Sequence, residues 1–308
     1  MAFSFPEIWL KRVIEILTTA IEAPWIADVP ELDINVAELG ENTAGESNTI
    51  HIPVSTFEPD VLINNTTYPI AVQAFDDSGI VINLDKYQTK ATSVSDDQII
   101  GAAYDRIDAA TRSHTTAILK KKYAKAIHAL APSANTANTP VIETTGAQAV
   151  SGQRIPLRYD DLVALKQKFD SMECPMEGRR LVLSSEHLND LLLDRQNFGN
   201  LLVDYQNGQT VPVIAGFRIY SYVSNPYFAV ADGSKIAFAA VPGANDHRAS
   251  VAFYVPNIAV KTGMTKQYFQ DAKSNPQTQQ NLLNYRHYYI ALPMKAKYIG
   301  AIISKNKA

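Results

Sequence analysis

The side chains of this chain that could do chemistry are scattered rather than clustered. Its six histidines form no His-x-x-x-His or Glu-x-x-His pair, and they occupy positions 51, 114, 128, 187, 247 and 287. His114 and His128 fall on one predicted helix, where their spacing corresponds to about 21 Å, too far to share a metal ion. Cys174 is the only cysteine, which excludes a disulfide or a cysteine-based zinc site within one chain.

Two short patterns place a hydroxyl or a carboxylate beside a histidine. In Ser184-Ser185-Glu186-His187 the first or second serine is predicted to cap a helix, and the Gly-x-Ser-x-Gly elbow of hydrolases is absent. Asp246-His247 is an isolated pair in a predicted loop. Neither pattern therefore predicts a nucleophile with its base.

Carboxylate pairs and glycine-rich motifs do not predict a metal or nucleotide site either. Asp76-Asp77 and Asp160-Asp161 could ligate a divalent cation, but solvated carboxylates at a turn and at a helix start are the default interpretation. The chain contains neither the phosphate-binding glycine loop nor the dinucleotide fingerprint. We therefore predict no catalytic residue, no metal and no cofactor, and hence no enzyme.

The basic run Lys120-Lys121-Lys122 has two interpretations. It could contact a polyanion, or it could be a solvated face near the end of a helix, where positive charge interacts favourably with the helix dipole. The chain as a whole has 28 Lys and Arg against 31 Asp and Glu, a formal charge of −3. This balance argues against a strongly basic nucleic-acid-binding protein.

Length and hydropathy predict a globular protein. The 308 residues, 46% of them apolar, suffice for one large or two ordinary domains. Residues 1–23 carry five charges and lack the apolar run of a signal peptide. The longest apolar runs fall short of the ~20 residues that a membrane helix needs, so we expect a soluble protein from a reducing cytosol.

One long helix is the element that must position the rest. Residues 95–132 predict about ten turns, with Ser95 as the N-cap and Asp96 and Asp97 on the first turn. Pro132 ends the helix. The polar run 111–116 interrupts its apolar stripe, so we expect the helix to lie across a sheet and to contact different neighbours at its two ends.

The segments before this helix predict an arm and a long hairpin. Residues 1–28 begin with an amphipathic helix that either packs within its own chain or docks on a neighbouring subunit. Residues 31–94 alternate with period two, which predicts long antiparallel strands, one of them over 68–74, with a turn at 76–79. Such a hairpin is marginal alone in water, so we expect another copy of the chain to support it.

The remaining sequence predicts an α/β unit followed by further strands. Residues 132–155 read as a loop. Residues 157–243 predict a helix, a buried strand over 179–183, a capped helix and later strands that include 235–241. In the last segment, strands over 285–293 and 298–303 are expected to pack under the long helix.

Three stretches in this order resemble the major capsid proteins of tailed double-stranded DNA bacteriophages, the Hong Kong 97-type fold. Residues 79–97 (GIVINLDKYQTKATSVSDD) lead into the long helix. Residues 174–192 (CPMEGRRLVLSSEHLNDLL) are similar to the entry of the family's axial domain, and residues 213–226 (VIAGFRIYSYVSNP) to its returning strand. The resemblance covers residues 45–308.

The resemblance implies an α+β fold in five segments: an N-terminal arm (1–30), an extended β-hairpin loop (31–94), a peripheral domain with the spine helix (95–156), an inserted axial α/β domain (157–243) and returning peripheral strands (244–308). It also implies hexamers and pentamers in an icosahedral virion shell, assembled in the host cytoplasm. Packaged double-stranded DNA would be enclosed without sequence-specific binding. Portal, scaffolding and decoration proteins are further implied partners, and a membrane is not.

We predict contacts between subunits at seven residues: Trp9, Tyr68, Phe75, Tyr87, Lys120, Lys121 and Lys122. Alternatives stay open at this point. The same fold is used by encapsulin-like nanocompartment shells. A tail-tube or baseplate subunit, or an α/β enzyme with its site in residues 157–243, would also fit parts of the pattern.

Overall fold

A computed structural model of the chain describes most of its residues. The described ranges are 6–18, 23–27, 29–33, 37–39, 47–55, 60–66, 68–70, 72–73, 77–95, 106–148, 150–194, 203–204, 209–210, 213–230, 232–274 and 277–307.

Within these ranges there are five α-helices, numbered in chain order: α1 Pro6–Thr18, α2 Pro24–Ala27, α3 Arg106–Leu130, α4 Tyr159–Ser171 and α5 Ser185–Leu193. The strands of the first half are β1 Ala37–Leu39, β2 Ser47–Ser55, β3 Asp77–Asn83, β4 Asp85–Gln88, β5 Thr92–Ser95 and β6 Val141–Glu143. The strands of the second half are β7 Arg179–Leu183, β8 Val203–Asp204, β9 Gln209–Thr210, β10 Val213–Ile214, β11 Phe217–Ser221, β12 Tyr227–Phe228, β13 His247–Arg248, β14 Ser250–Tyr254, β15 Ile258–Gln270, β16 Gln280–Pro293 and β17 Ile299–Ile303.

Helix α3 is the predicted spine, and its buried stripe is continuous rather than broken. Thr111, His114 and Thr115, from the polar run, are all buried. The hydroxyl of Thr111 lies 3.2 Å from that of Tyr285, and the hydroxyl of Thr115 donates to the Thr111 carbonyl at 2.8 Å. Polar side chains can therefore continue the stripe, because their hydrogen-bonding groups are satisfied.

The start of the spine helix differs from the prediction. Ser95, predicted as the N-cap, is the last residue of strand β5 and pairs with Gln280 of β16. Residues 96–105 lie outside the described ranges. The other end agrees with the prediction, since α3 ends at Leu130, two residues before Pro132.

A four-stranded antiparallel sheet lies under α3. β15 pairs with one edge of β16, and β4 and β5 pair with successive parts of the other edge. Tyr285 and Tyr289 of β16 face the helix, and the Tyr289 ring meets that of Tyr123 edge-on at 6.4 Å. The expected packing of residues 285–293 under the long helix is therefore confirmed.

A mixed sheet has six strands in the order β10-β11-β7-β14-β17-β6. Its three central strands, β7, β14 and β17, are buried on both faces. Side chains alternate between the two faces, as the strand period of two requires. On β14, for example, Val251 and Phe253 belong to the core that contains α3, whereas Ala252 belongs to the core formed with α4 and α5. The sheet takes three strands (β7, β10 and β11) from residues 157–243 and the other three from outside them.

Residues 298–303 lie in the six-stranded sheet, since β17 pairs with β14 and β6. Ile299, Ala301 and Ile303 belong to the same buried core as α3, which agrees with the expected packing under the long helix. One prediction about this region is wrong. Residues 235–241 form no strand: Lys235 makes only an isolated bridge to Phe228, and its ammonium group donates to the carbonyls of His128 and Ala131 at the end of α3.

The extended hairpin consists of β2 and β3, with β1 added at its edge. Its register runs from Thr49 opposite Asn83 to Ser55 opposite Asp77, which confirms the antiparallel prediction. The turn predicted at 76–79 is wrong, since Asp77–Asn83 is strand and Gly79 lies opposite Pro53. The described residues between 68 and 73 form no strand.

Candidate interaction surfaces

The connection between β2 and β3 exposes a run of apolar side chains. We call its residues 60–73 the loop tip. Val61, Ile63 and Val72 are 82%, 84% and 97% exposed. The backbone N–H of Asp60 donates to the side-chain oxygen of Gln73 at 3.0 Å, which holds the two ends of the tip together. Exposed apolar clusters of this kind mark sites of association.

The loop tip contains one of the predicted contact residues and several further exposed apolar residues that the sequence analysis did not single out. Tyr68 is exposed there, beside Val61, Leu62, Ile63, Ile70 and Val72. Phe75 lies outside the described residues. The apolar triplet at 61–63, set in a segment rich in Asn and Thr, was the signal available in the sequence.

The N-terminal helix packs within its own chain. Trp9, predicted to contact a neighbouring subunit, is instead buried against Phe269, with the two rings edge-on at 5.4 Å. Val13 and Leu17 follow it on the same buried face. Arg12 forms an ion pair with Asp108 of α3. Of the two alternatives for this helix, the structure shows packing within the chain.

The lysine run divides into two exposed residues and one buried residue. Lys122, predicted as a subunit contact, is 2% exposed; its ammonium group donates to the Leu17 carbonyl at 3.0 Å and lies 4.2 Å from the ring centre of Tyr289. Burial lowers the pKa of Lys122 to about 8. A helix turns 100° per residue, so Lys120 and Lys121 point outwards while Lys122 points into the core.

A groove of about 690 Å³ lies between α3 and the β4–β5 segment of the sheet. Lysines line it from both sides, with Lys86 and Lys90 on one and Lys121 on the other. Tyr87, a predicted contact residue, is only half exposed and packs against the core that contains α3. Burial, and secondarily the charge of Asp85, raises the pKa of Tyr87 well above its ordinary value.

The serine–histidine pattern is a helix cap, as predicted. The Ser184 hydroxyl accepts the backbone N–H of His187 at 3.3 Å. The His187 ring is fully buried, with Nδ1 at 2.7 Å from the Ser250 hydroxyl and Nε2 at 2.8 Å from the Ser304 hydroxyl. Burial lowers the pKa of His187 to about 3, so the ring is neutral and joins α5 to two other elements.

The carboxylates singled out in the sequence organise backbone rather than a cation. Asp161 is buried and accepts the backbone N–H groups of Arg158 and Thr145 at the start of α4. Asp246 accepts the N–H of Gly243 at 2.6 Å within its own loop. Among the described residues, no group of three or more His, Cys, Asp or Glu is arranged to hold a metal ion. None of the described helices combines the length and hydropathy that a bilayer crossing requires.

Comparison with known proteins identifies one family and a set of similar structures. The family described as phage capsid protein matches residues 77–303. No curated protein sequence matches the chain.

Three solved structures illustrate the structural similarity. The capsid of cyanophage P-SCSP1u superposes with a TM-score of 0.59 at 15% identity, over 89% of this chain and 86% of that chain. The capsid of a native GTA particle superposes with a TM-score of 0.57 at 11% identity, over 94% of this chain and 99% of that chain. A chain of Mycobacterium phage Che8 superposes with a TM-score of 0.56 at 16% identity, over 89% of this chain and 97% of that chain. At these identities the likeness establishes the fold.

Proposed function

This chain belongs to the phage capsid protein family, and from that membership we propose a more detailed function for it. It is a major capsid protein of the virion shell, and we propose that it assembles as hexamers and pentamers into a closed icosahedral head around double-stranded DNA. Portal, scaffolding and decoration proteins are proposed as further partners. The family is one of structural proteins, and the proposal includes no catalytic activity.

The exposed loop tip is the observation that best supports self-assembly. Six large apolar side chains are exposed there, at the tip of the hairpin. Burying each of them would contribute about 1.5–3 kcal/mol, and a symmetric shell repeats the contact for every subunit. We propose that residues 31–94 form the extended loop and that its tip lies on a second copy of the chain.

The other segments are assigned within the same proposal. The unit built on α3 and the four-stranded sheet would be the peripheral domain. The unit built on the six-stranded sheet, with α4 and α5, would be the axial domain that meets its copies at the centre of a capsomer. Lys120, exposed on α3, remains a proposed contact between subunits.

The proposal predicts that charge in the loop tip prevents assembly without unfolding the subunit. Val61→Asp with Ile63→Asp would place two carboxylates in the proposed contact. Purified wild-type protein should elute as large particles and show closed shells by negative-stain microscopy, whereas the double variant should elute at subunit size. Its thermal midpoint by circular dichroism should match that of the unassembled wild type, because both side chains are exposed.

The control carries the same charge change elsewhere. Ile14→Asp with Val150→Asp alters two exposed aliphatic residues outside the loop tip and outside the proposed axial unit and should leave shells intact. Shells formed by the loop-tip variant at the wild-type yield would refute the role of the tip. Helical tubes in place of closed shells from the wild-type chain would refute the capsid assignment itself.

A further inference from the structure

The groove between α3 and β4–β5 concentrates positive charge in a protein that is acidic overall. Its lining includes Lys86, Lys90 and Lys121, and no described lining residue is a carboxylate. The chain as a whole carries a formal charge of −3. An excess of lysine in a concave surface, against the sign of the whole molecule, attracts anions.

The three lysines of the groove are available to a ligand. All three are exposed, and within the described ranges none of them forms an ion pair with a carboxylate. Nearby basic residues differ: Lys125 pairs with Asp85 at 2.6 Å and Arg112 with Asp108 at 3.0 Å. Asp85 and Asp108 are thus paired with other cations rather than with the groove lysines.

Hydroxyl groups and spacing favour phosphate as the anion. Thr89 and Thr92 line the same groove, and hydroxyls donate to phosphate oxygens as ammonium groups do. Lys86 and Lys90 stand four residues apart on the exposed side of an extended segment, at most about 13 Å by the strand rise. A DNA duplex presents several phosphates over that length.

We propose that this groove is a binding site for the phosphate backbone of double-stranded nucleic acid, contacted by Lys86, Lys90 and Lys121. Contacts of this type carry no sequence information. The inference builds on the proposed enclosure of DNA and identifies the surface of the subunit that would face it. Within the lysine run, Lys121 belongs to the proposed site, whereas Lys122 lies in the core.

The salt dependence of binding tests the proposal on the unassembled, full-length chain. Binding of a fluorescein-labelled 20-base-pair duplex is followed by anisotropy between 50 and 200 mM NaCl, in Val61→Asp/Ile63→Asp protein with and without Lys86→Gln/Lys90→Gln/Lys121→Gln. Each phosphate neutralised contributes about −0.9 to the log–log slope. Three lost contacts should reduce the slope by about 2.7, so the parent should lose about 40-fold more affinity over this range than the triple variant.

A matched triple variant controls for net charge. Lys168→Gln/Lys273→Gln/Lys295→Gln removes three exposed lysines that do not line the groove and should keep the parent slope. An equal reduction of the salt-dependence slope in both triple variants would overturn the proposal. A parent chain that does not bind the duplex at 50 mM salt would also overturn it. Displacement of the duplex by poly-glutamate at equal charge concentration would also overturn it, in favour of an acidic polypeptide.

Amine acetylation supplies a local readout that does not depend on variants. Addition of the duplex should protect Lys86, Lys90 and Lys121 from acetylation, measured by mass spectrometry, and leave Lys168, Lys273 and Lys295 reactive. Unchanged reactivity at the groove would contradict the proposal. Shell formation is measured separately by microscopy, so absence of DNA binding and absence of assembly are distinguishable results.

Discussion

At the scale of the residue, two buried histidines couple the stability of the fold to pH. His187 bonds to two serines, and His287 of β16 lies 2.9 Å from the Thr265 hydroxyl through its Nδ1. Burial lowers the pKa of each ring to about 3, against an ordinary value of about 6.5. The native state therefore binds fewer protons than the unfolded state between pH 3 and 6.5, and stability must fall as the pH drops through this range.

The loss should reach about 1.4 kcal/mol per pH unit for each histidine. We expect the free energy of unfolding, measured by urea denaturation of the unassembled chain, to fall steeply between pH 6.5 and 5. The double variant His187→Gln/His287→Gln should be less stable at pH 7.5, because the hydrogen bonds are altered, but its pH dependence should be shallower than that of the wild type. Equal slopes for the two proteins would show that these histidines do not account for the effect.

His187 also shows which part of a site could be read from the sequence. Its position three residues after the capping serine is local, so the helix cap was predictable. Its two ring partners, Ser250 and Ser304, are 63 and 117 residues away, and only the folding of β14 and β17 beside α5 brings them together. The same limit explains why Lys86 and Lys90 could not be linked to Lys121 in advance.

At the scale of the element, the spine helix was predictable in its existence but not in its contacts. Its length and its stop at Pro132 follow from local signals. The predicted interruption of its apolar stripe is wrong. Thr111 and His114 were treated as solvent-facing because they are polar, but both contact Tyr285, which comes from a distant strand. The order of the six-stranded sheet could not be predicted either, since β7 lies between two strands that follow it in the chain.

The packing of α1 within its own chain predicts a sharp contrast between two aliphatic residues on this helix. Leu17 is 1% exposed and Ile14 is 41% exposed. Leu17→Ala should lower the free energy of unfolding by about 2–5 kcal/mol, because it leaves a cavity beside α3, whereas Ile14→Ala should cost well under half as much. Urea denaturation of the unassembled subunit measures both. A small effect of Leu17→Ala that appears only in assembled particles would mean that the helix docks on a neighbour.

At the scale of the whole molecule, one core connects the two large sheets. Val251 and Phe253 of the six-stranded sheet belong to the same buried cluster as Tyr285 and Tyr289 of the other sheet. The N-terminal segment strengthens this connection: Arg180 of β7 donates to the carbonyl of Trp25 at 2.7 Å, and the N–H of Leu32 donates to Val260 of β15 at 2.9 Å. Residues 23–27 and 29–33 thus bind to both sheets, and the predicted peripheral and axial units share a core.

A shared core predicts that the subunit unfolds as one cooperative unit. The Trp25 ring is fully buried and meets Tyr123 of α3 at 6.4 Å and Phe253 of β14 at 6.3 Å, both edge-on. Calorimetry of the non-assembling Val61→Asp/Ile63→Asp chain should therefore show a single transition. Adding Trp25→Ala should lower the free energy of unfolding by about 3–5 kcal/mol and move that transition as a whole. If the α/β unit melted separately while the spine and its sheet kept their midpoint, the two units would be energetically independent despite their common core.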